Sequence, residues 1–346
     1  MEKPILCLIF GGKSNEYEVS LRSAYAVLEN INADKYEIIT IGITKDGKWY
    51  LYTGDYKFIA EATWQEKGAV PVTVDFSNSC FITMCERDTL YPKNICIKPD
   101  VVFPVMHGSF GEDGVLQGIL EAAGMRFVGC KALSSAVCMD KYTAKLIAGD
   151  IGIPCAKAET ICKDNKKSLE KVKIPLPVFV KPSRSGSSVG VSQVENQSDM
   201  NFAVEEAFKW CSRVIVEEKI VGKEVEVALM QKSGELLISE VGEIKHNSGF
   251  YDYDTKYKSR DVRYIIPAEI SNASKATIKK YAKQLFSALE CSGLCRMDFF
   301  VRDCGDIVFN EVNTMPGFTD ISMFPMLFMH AGFSFSEIID ILVSER

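Results

Sequence analysis

Four polar residues near the C-terminal end of the chain have the types and the spacing of a metal site. Arg296 and Asp298 lie in one strand-like segment, and Glu311 and Asn313 lie in the next. The connecting residues 303–306 predict a hairpin turn, because their glycine adopts positive φ without steric cost. If the central Cys-Gly pair is a two-residue loop, Asp298 faces Glu311 and Arg296 faces Asn313.

Alternation along a strand then places the four side chains on one face of the sheet. Directly opposed Cβ atoms are about 5 Å apart, where two carboxylates repel each other unless a cation lies between them. Two carboxylates and an amide oxygen form an all-oxygen ligand set that suits Mg²⁺. The alternative is a solvated hairpin face whose charges extend into water, and a one-residue slip would turn half of the set to the other face.

Length and composition limit the class of protein. At 346 residues the chain suits two or three domains, and its apolar content of 47% supplies several cores. A net charge of −6 without a long block of one sign argues against nucleic acid or an anionic membrane as the main partner. The apolar run of residues 4–10 is too short to span a membrane and lacks the flanks of a signal peptide, so we expect a cytoplasmic protein without membrane insertion. The 12 cysteines include no Cys-x-x-Cys pair and the three histidines lie far apart, which excludes zinc spacing and predicts reduced thiols.

An α/β pattern opens the chain. The apolar strand of residues 4–10 runs into Gly11-Gly12, and a helical pattern follows through Val19. Cys7 stands where a P-loop needs glycine, and no Gly-x-Gly-x-x-Gly follows this strand, which argues against a Walker A site and a dehydrogenase. Glu18 lies in the first helical turn, where its carboxylate either anchors an ammonium group or is simply stabilised by the helix dipole.

Several later loops are candidates for ligand binding. His107 follows a buried strand and either contacts a ligand or makes a structural hydrogen bond. Residues 181–190 form a serine- and glycine-rich loop between strands, which predicts either a flap over phosphates, with Lys181 at its entry, or a flexible surface hairpin. Residues 214–229 predict two strands whose connection forms an adenine slot, and the long aromatic loop of residues 242–263 predicts a lid.

Together these motifs closely resemble the D-alanine:D-alanine ligases of the ATP-grasp superfamily. The resemblance implies an α/β fold of three-domain ATP-grasp architecture, with an N-terminal parallel-sheet domain at residues 1–128. Two α+β domains, residues 129–216 and 217–346, would hold ATP between them. The motifs follow one another in the expected order over nearly the whole chain, at residues 11–21, 107–114, 139–141, 181–190, 251–257, 296–298 and 311–317.

The resemblance also implies how ATP and its metal ions are bound. Asp298 and Glu311 would bind one Mg²⁺ (or Mn²⁺) ion, and Glu311 and Asn313 would bind a second. The implied ATP contacts are Lys141, Lys181 and Ser188 for the phosphates, Glu217 and Ile220 for the adenine edge, and Glu224 for the ribose.

The implied reaction makes the D-Ala-D-Ala dipeptide of peptidoglycan. The γ-phosphoryl group of ATP is transferred to the carboxylate of one D-alanine, and the amine of a second amino acid attacks the acyl phosphate. The lid would exclude water from this intermediate. The implied roles are oxyanion binding by Arg296 and the Gly317 N–H, an ammonium anchor at Glu18 linked through Ser187 to Tyr257, binding of the acceptor carboxylate by Lys256 and Ser322, and a first-substrate pocket lined by His107.

The identity of the second substrate stays open. Met323 stands where housekeeping enzymes of this family have leucine and several vancomycin-resistance ligases have arginine. Residues 133–141 and 313–319 are similar to those of the resistance ligases, especially the D-alanine:D-serine type. D-Alanine is therefore the expected acceptor and D-serine the alternative, and the family resemblance implies a homodimer.

Overall fold

The computed structural model of the chain describes residues 2–84, 95–165, 169–170, 172–246 and 262–345. Within these ranges the fold is mixed α/β, as the sequence predicts. The strands are β1 (Ile5–Gly11), β2 (Glu37–Ile43), β3 (Trp49–Tyr52), β4 (Ala69–Asp75), β5 (Cys80–Thr83), β6 (Cys96–Ile97), β7 (Val101–Val105), β8 (Ala158–Cys162), β9 (Val178–Pro182), β10 (Ser192–Val194), β11 (Arg213–Glu218), β12 (Lys223–Lys232), β13 (Glu235–His246), β14 (Val262–Ile265), β15 (Leu294–Val301) and β16 (Ile307–Asn313). The α-helices are α1 (Tyr17–Asn30), α2 (Lys57–Ala60), α3 (Val115–Ala122), α4 (Ala132–Met139), α5 (Lys141–Asp150), α6 (Met200–Ala207), α7 (Asn272–Ala288), α8 (Met323–His330) and α9 (Phe335–Ser344).

The first sheet is only partly parallel. Its strand order is β6-β5-β4-β3-β2-β1-β7, and β1 pairs in parallel with β2 and β7. Strands β3 to β6 extend the sheet in antiparallel pairs, which the prediction of a parallel-sheet domain did not include. The physical reason is the short connection between β2 and β3, since a parallel neighbour needs a crossover of a dozen or so residues.

The other two sheets are antiparallel. One has the order β10-β9-β11-β8, and the other has the order β14-β13-β12-β15-β16. Strand β12 is covered on both faces, because Val225 and Val227 pack with α5 and α7. Ala228 and Met230 pack with α8 and α9 in a core that continues to α1 and β1. The domain borders after residues 128 and 216 stay a prediction, and the second of them falls within β11.

The β15–β16 hairpin has the predicted pairing at the site. Asp298 opposes Glu311, and Arg296 opposes Asn313. Nearer the turn the register differs by one residue, because a β-bulge at Asn310 adds an unpaired residue to β16.

The turn of this hairpin is also one residue longer than predicted. Arg302 donates its N–H to the Asp306 carbonyl at 2.9 Å, so the loop has three residues rather than the two of Cys304-Gly305. Gly305 takes a φ of 92° and closes this longer loop. The extra loop residue and the bulge at Asn310 compensate, and the predicted register at the site is restored.

The predicted lid loop is shorter than residues 242–263. Strand β13 continues to His246, and β14 begins at Val262, with Glu243 opposite Ile265. Gly242 belongs to the strand, and a β-carbon there would lie 2.8 Å from the sulfur of Met323, so α8 packs directly on the backbone. The central part of the predicted lid, with the Lys256 and Tyr257 assignments, lies outside the described residues.

The helices and cysteines of the described ranges bear on the expectations for membrane insertion and for disulfides. No single helix in them is long and apolar enough to cross a membrane, and α8 and α9 meet that test only as a pair bent by 103°. The cysteines in these ranges are free thiols, and most of them are buried, as predicted.

The backbone at Gly11, where β1 enters the loop before α1, has a conformation and a close contact that favour glycine. Its φ is 87°, and a β-carbon there would collide with the Ile43 carbonyl oxygen. Gly47 has a φ of 85° but nothing within 4 Å of such a carbon. We expect Gly47→Ala to cost about 1 kcal/mol of unfolding free energy from φ alone, and Gly11→Ala to cost about 2 kcal/mol more because of the collision.

Urea unfolding of the two variants measures this difference directly. Equal losses in Gly11→Ala and Gly47→Ala would show that the chain relieves the collision at Gly11 without cost.

Candidate active site

A cleft of about 1060 Å³ is lined by residues of the two antiparallel sheets, of α1 and of the loop after β7. It brings together residues that are far apart in sequence. Within the described ranges, each predicted site residue except Glu18 lines this cleft. They are His107, Lys141, Lys181, Ser187, Ser188, Glu217, Ile220, Glu224, Arg296, Asp298, Glu311, Gly317, Asn313, Ser322 and Met323.

Arg296 forms the centre of a buried charged cluster at one wall of the cleft. Its Nε and Nη2 donate to the two carboxylate oxygens of Asp298, both at 2.8 Å. Its Nε also lies 3.0 Å from Oε2 of Glu226, and Asn313 donates its amide N–H to Asp298 at 3.0 Å. Although burial acts in the opposite direction, Asp298 and Glu226 hold the pKa of Arg296 well above its usual value. The guanidinium therefore stays charged and fixes both carboxylates.

Lys141 faces the same wall from the start of α5. The carboxylate of Asp140 caps this helix by accepting the Thr143 N–H at 3.1 Å, which fixes where Lys141 emerges. The Lys141 ammonium lies 3.0 Å from Oε2 of Glu311 and donates to the Ser185 carbonyl at 2.8 Å. Burial opposes the charged form, but the Glu311 carboxylate raises the pKa of Lys141.

A second group of charges, Lys145, Lys181 and Glu217, lies deeper in the cleft. The Glu217 carboxylate pairs with the Lys145 ammonium at 2.7 Å through one oxygen and with Lys181 through the other. Burial would raise the pKa of Glu217, but the two lysines lower it to about 2. Burial and the neighbouring Lys145 ammonium lower the pKa of Lys181, although its partner Glu217 acts to raise it. Lys145 was not predicted from the sequence; its position one turn after Lys141 was the available signal.

The flap meets the N-terminal sheet through one carboxylate. Ser187 and Ser188 take left-handed φ values of 46° and 57°, a conformation that is uncommon for serine. The Ser187 hydroxyl donates to Oε1 of Glu16. A β-carbon on Gly186 would collide with the same carboxylate, so glycine allows the flap to approach Glu16 closely.

The structure does not place Glu18, the predicted ammonium anchor, in the cleft. The Glu18 side chain is 53% exposed, pairs with Lys45 and does not line the cleft. Glu16 is 7% exposed, lines the cleft and makes the contact with Ser187 that was predicted for Glu18. The reason is geometric: the residue before the first turn of α1 points into the cleft, whereas two residues later the helix has rotated its side chains to solvent.

Glu112 is a site residue that the sequence analysis missed. It lines the cleft, and its two oxygens accept the Gly108 N–H at 2.7 Å and the Met315 N–H at 3.3 Å. It therefore bridges the loop after β7 and the loop after β16. Burial and the neighbouring Glu16 carboxylate raise the pKa of Glu112 to about 8. Its place in the Gly-Glu-Asp-Gly sequence after His107 was the available signal.

His107 is hydrogen-bonded through both ring nitrogens. Nε2 lies 3.0 Å from the Ser23 hydroxyl, and Nδ1 lies 3.0 Å from the Met315 carbonyl oxygen. These contacts give the ring a structural role within the wall of the cleft. Its contact with a ligand stays a prediction.

The far end of the cleft is built by the loop that leads into α8. A β-carbon on Gly317 would lie 2.8 Å from the Ser322 hydroxyl, so glycine is needed for this close turn. Ser322 also pairs with the Thr319 hydroxyl at 2.8 Å and stands at the start of α8. Met323 is buried against β13 and still borders the cleft.

The residues at the Arg296 wall fit magnesium carried by ATP. Asp298, Glu311 and Asn313 present oxygens from one sheet face, and two cations, Arg296 and Lys141, already balance the two carboxylates. In the described ranges no group of three or more His, Cys, Asp or Glu side chains could hold a metal ion. Two carboxylates with an amide suit an ion that also takes phosphate oxygens and water, as Mg²⁺ does.

Glu112 generates a prediction about pH. Its folded pKa of about 8 exceeds the ordinary value of 4.5, so the folded protein binds an extra proton between these values. Stability should therefore fall as pH rises through that window. We expect wild type to lose about 3 kcal/mol between pH 5.5 and 8.5 relative to Glu112→Gln, which cannot titrate.

Urea unfolding of both proteins at the two pH values measures this double difference, in which other titrating groups cancel. Parallel pH dependences of wild type and Glu112→Gln would contradict a protonated Glu112.

Comparison with known proteins finds matches to both halves of the chain. The family described as D-ala D-ala ligase N-terminus matches residues 5–130, and the family described as D-ala D-ala ligase C-terminus matches residues 147–344. The D-alanine--D-alanine ligase of Acetivibrio thermocellus is 43% identical, and the alignment covers 99% of this chain and 95% of the relative. That of Caldicellulosiruptor bescii is 40% identical with the same coverages.

Solved structures agree in fold. The VanG D-Ala:D-Ser ligase from Enterococcus faecalis superposes with a TM-score of 0.89 at 43% identity, over 99% of each chain. The D-alanine-D-alanine ligase from Coxiella burnetii superposes with a TM-score of 0.84 at 30% identity, over 99% of this chain and 93% of that one. With matches that cover both halves of the sequence and the whole ATP-grasp architecture, the chain belongs to the D-Ala-D-Ala ligase family.

Proposed function

We propose that this protein joins D-alanine to a second D-amino acid with conversion of ATP to ADP and phosphate, and that the second amino acid is D-alanine. The observation that carries the proposal is the wall of the cleft where Arg296, Asp298, Glu311 and Asn313 face Lys141. This arrangement suits phosphoryl transfer, because positive groups and metal ligands surround the place where a triphosphate would end.

ATP fits the part of the cleft between the flap and the two antiparallel sheets. We assign its phosphates to Lys141, Lys181 and Ser188, since both lysines line this region. The connection after β11 would take the nucleoside, with the adenine edge at Ile220 and Glu217 and the ribose at Glu224. Both oxygens of Glu217 are paired with lysines, so an adenine amine would share one of them.

The assigned metal ligands would hold ions that balance the charge of the phosphates during phosphoryl transfer. We assign one Mg²⁺ to Asp298 and Glu311 and a second to Glu311 and Asn313; Mn²⁺ suits the same ligands. The bound ions would neutralise the phosphate oxygens as the phosphoryl group moves. Lys141, 3.0 Å from Glu311, would hold the transferred group in line with the D-alanine carboxylate.

The second step is attack of an amine on the acyl phosphate, with phosphate as the leaving group. The tetrahedral intermediate carries an oxyanion, which we assign to Arg296 and the Gly317 N–H. The contacts of Arg296 with Asp298 use Nε and Nη2, and we assign its Nη1 to the oxyanion. Ser322, beside Gly317, would receive the carboxylate of the acceptor.

Met323 supports D-alanine as the acceptor. Met323 borders the cleft, and its thioether sulfur, which lies toward Gly242, is a weak hydrogen-bond acceptor that offers no donor to a serine hydroxyl. D-Serine is the second candidate, because the VanG D-Ala:D-Ser ligase is as similar to this chain as the D-alanine--D-alanine ligase of Acetivibrio thermocellus. A pocket without a polar group separates these acceptors by only about 1–3 kcal/mol.

The test of the function is ADP release with defined acceptors. The protein is incubated with Mg²⁺, ATP and D-alanine, then with added D-serine or D-lactate, and the products are identified by mass. We expect D-Ala-D-Ala as the main product, with about tenfold or greater preference over D-Ala-D-Ser at equal concentrations. A dominant D-Ala-D-Ser product would establish the second candidate, and no ADP release with any amino acid would refute the ligase.

Glu16 and Glu18 form a matched pair for the ammonium site. We assign the ammonium of the first D-alanine to Glu16, which lines the cleft and contacts Ser187. Glu16→Gln should raise the KM for the first D-alanine about tenfold or more, because a charge-assisted hydrogen bond is lost. Glu18→Gln should stay within about twofold of wild type, since it removes only a surface ion pair.

Initial rates of ADP release against D-alanine concentration provide the measurement. An effect of Glu18→Gln as large as that of Glu16→Gln would contradict the assignment to Glu16.

The biological setting follows from the proposed product. D-Ala-D-Ala is a building block of peptidoglycan, so we place the protein in the cytoplasm, where ATP and both substrates are present. We also propose a homodimer, as the family resemblance implies, and light scattering of the purified protein would measure its mass.

A further inference from the structure

Lys145 is a buried cation with three polar contacts and no role in the assignments above. It lies in α5 one turn after Lys141, so both lysines project from one face of the helix. The Lys145 side chain is 5% exposed. Its ammonium reaches Oε1 of Glu217 at 2.7 Å, the Asn310 carbonyl at 2.9 Å and the Phe309 carbonyl at 3.5 Å. These contacts connect β11 with the bulge of β16.

The bulge decides which face of the sheet carries the metal ligands. Phe299 opposes Phe309, whereas the next residue, Asp298, opposes Glu311, so Asn310 is the inserted residue. If the strands paired without the insertion, Asp298 would oppose Asn310, and Glu311 would point to the other face. The position of Glu311 in the cleft therefore depends on keeping Asn310 out of the ladder.

A bulged residue leaves a carbonyl without its partner in the ladder, and such a group needs another donor when it is shielded from water. The Lys145 ammonium is that donor for Asn310 at 2.9 Å. The ammonium is itself held by the Glu217 carboxylate, which also holds Lys181. One cation thus secures the bulge and the ion pair of a phosphate-binding lysine.

We propose that Lys145 is a positioning residue that holds the Asn310 bulge and thereby keeps Glu311 on the metal-binding face, an inference that rests on the proposed function of Asp298, Glu311 and Asn313. Lys145 does not contact the reacting groups in this assignment. It acts through the main chain of β16 and through Glu217.

The test measures metal binding rather than turnover. Mn²⁺ is titrated into the whole protein in the presence of a non-hydrolysable ATP analogue, and bound Mn²⁺ is followed by electron paramagnetic resonance. Lys145→Met keeps the length of the side chain and removes the ammonium. We expect Mn²⁺ affinity to fall about 10–100-fold, as for other residues that orient metal ligands.

Lys279→Met is the matched control. Lys279 of α7 pairs with Glu240 of β13, away from the cleft, so its loss should leave Mn²⁺ affinity within about twofold. Wild-type Mn²⁺ affinity in Lys145→Met would overturn the proposal. Lys145→Gln, which keeps one N–H donor, should lie between Lys145→Met and wild type.

Near-ultraviolet circular dichroism of each variant separates positioning from folding. If Lys145→Met and Lys145→Gln both fail to fold while Lys279→Met folds, Lys145 serves stability and the proposal is overturned. Glu311→Gln and Asn313→Ala test the metal site independently of Lys145. If these two variants keep wild-type Mn²⁺ affinity, the assigned metal site is wrong; if they lose it and Lys145→Met does not, only the role of Lys145 is wrong.

Discussion

The active site depends on holding like charges together on one face of a hairpin. Asp298 and Glu311 oppose each other across two strands, at a separation where uncompensated carboxylates repel. Arg296 neutralises Asp298 through two hydrogen bonds, and Lys141 neutralises Glu311 from a helix of a different layer. The two carboxylates are therefore compensated from two directions, by the sheet itself and by a helix.

This arrangement explains the architecture around it. The antiparallel sheet aligns the two carboxylates and itself supplies Arg296 to Asp298, whereas the cation that pairs with Glu311 comes from outside the sheet. Helix α5 performs that function: capped by Asp140, it presents two lysines one turn apart to the strand ends. The flap then covers the lysines, and Glu16 connects the flap to the N-terminal sheet. Each of the three layers thus contributes a charge to one cleft.

The ends of the cleft are connected through carboxylates that bridge separate loops. Glu112 accepts N–H groups from the loop after β7 and from the loop after β16, so it connects the N-terminal part of the cleft with the β15–β16 hairpin. Glu16 lies beside it, and the repulsion between the two carboxylates, together with burial, keeps Glu112 protonated. Glu217 has the opposite surroundings, since two lysines keep it ionised. Neighbouring charges therefore give similar side chains different protonation states within one cleft.

The sequence by itself determined the α/β class, the pairing of Asp298 with Glu311, and the set of motifs that line the cleft, because strand alternation and glycine-rich turns are local properties of the chain. It selected Glu18, whose side chain lies outside the cleft, rather than Glu16, which lines it, because the pattern of a helix does not show where its first turn faces. It also reached the correct register through a two-residue loop, whereas the chain uses a three-residue loop and a bulge at Asn310. Only the tertiary structure decided these points and revealed Lys145 and Glu112. Lys145 contacts Glu217 and Asn310, and Glu112 contacts Met315; these partners lie more than 60 residues away in sequence, and no local pattern encodes such contacts.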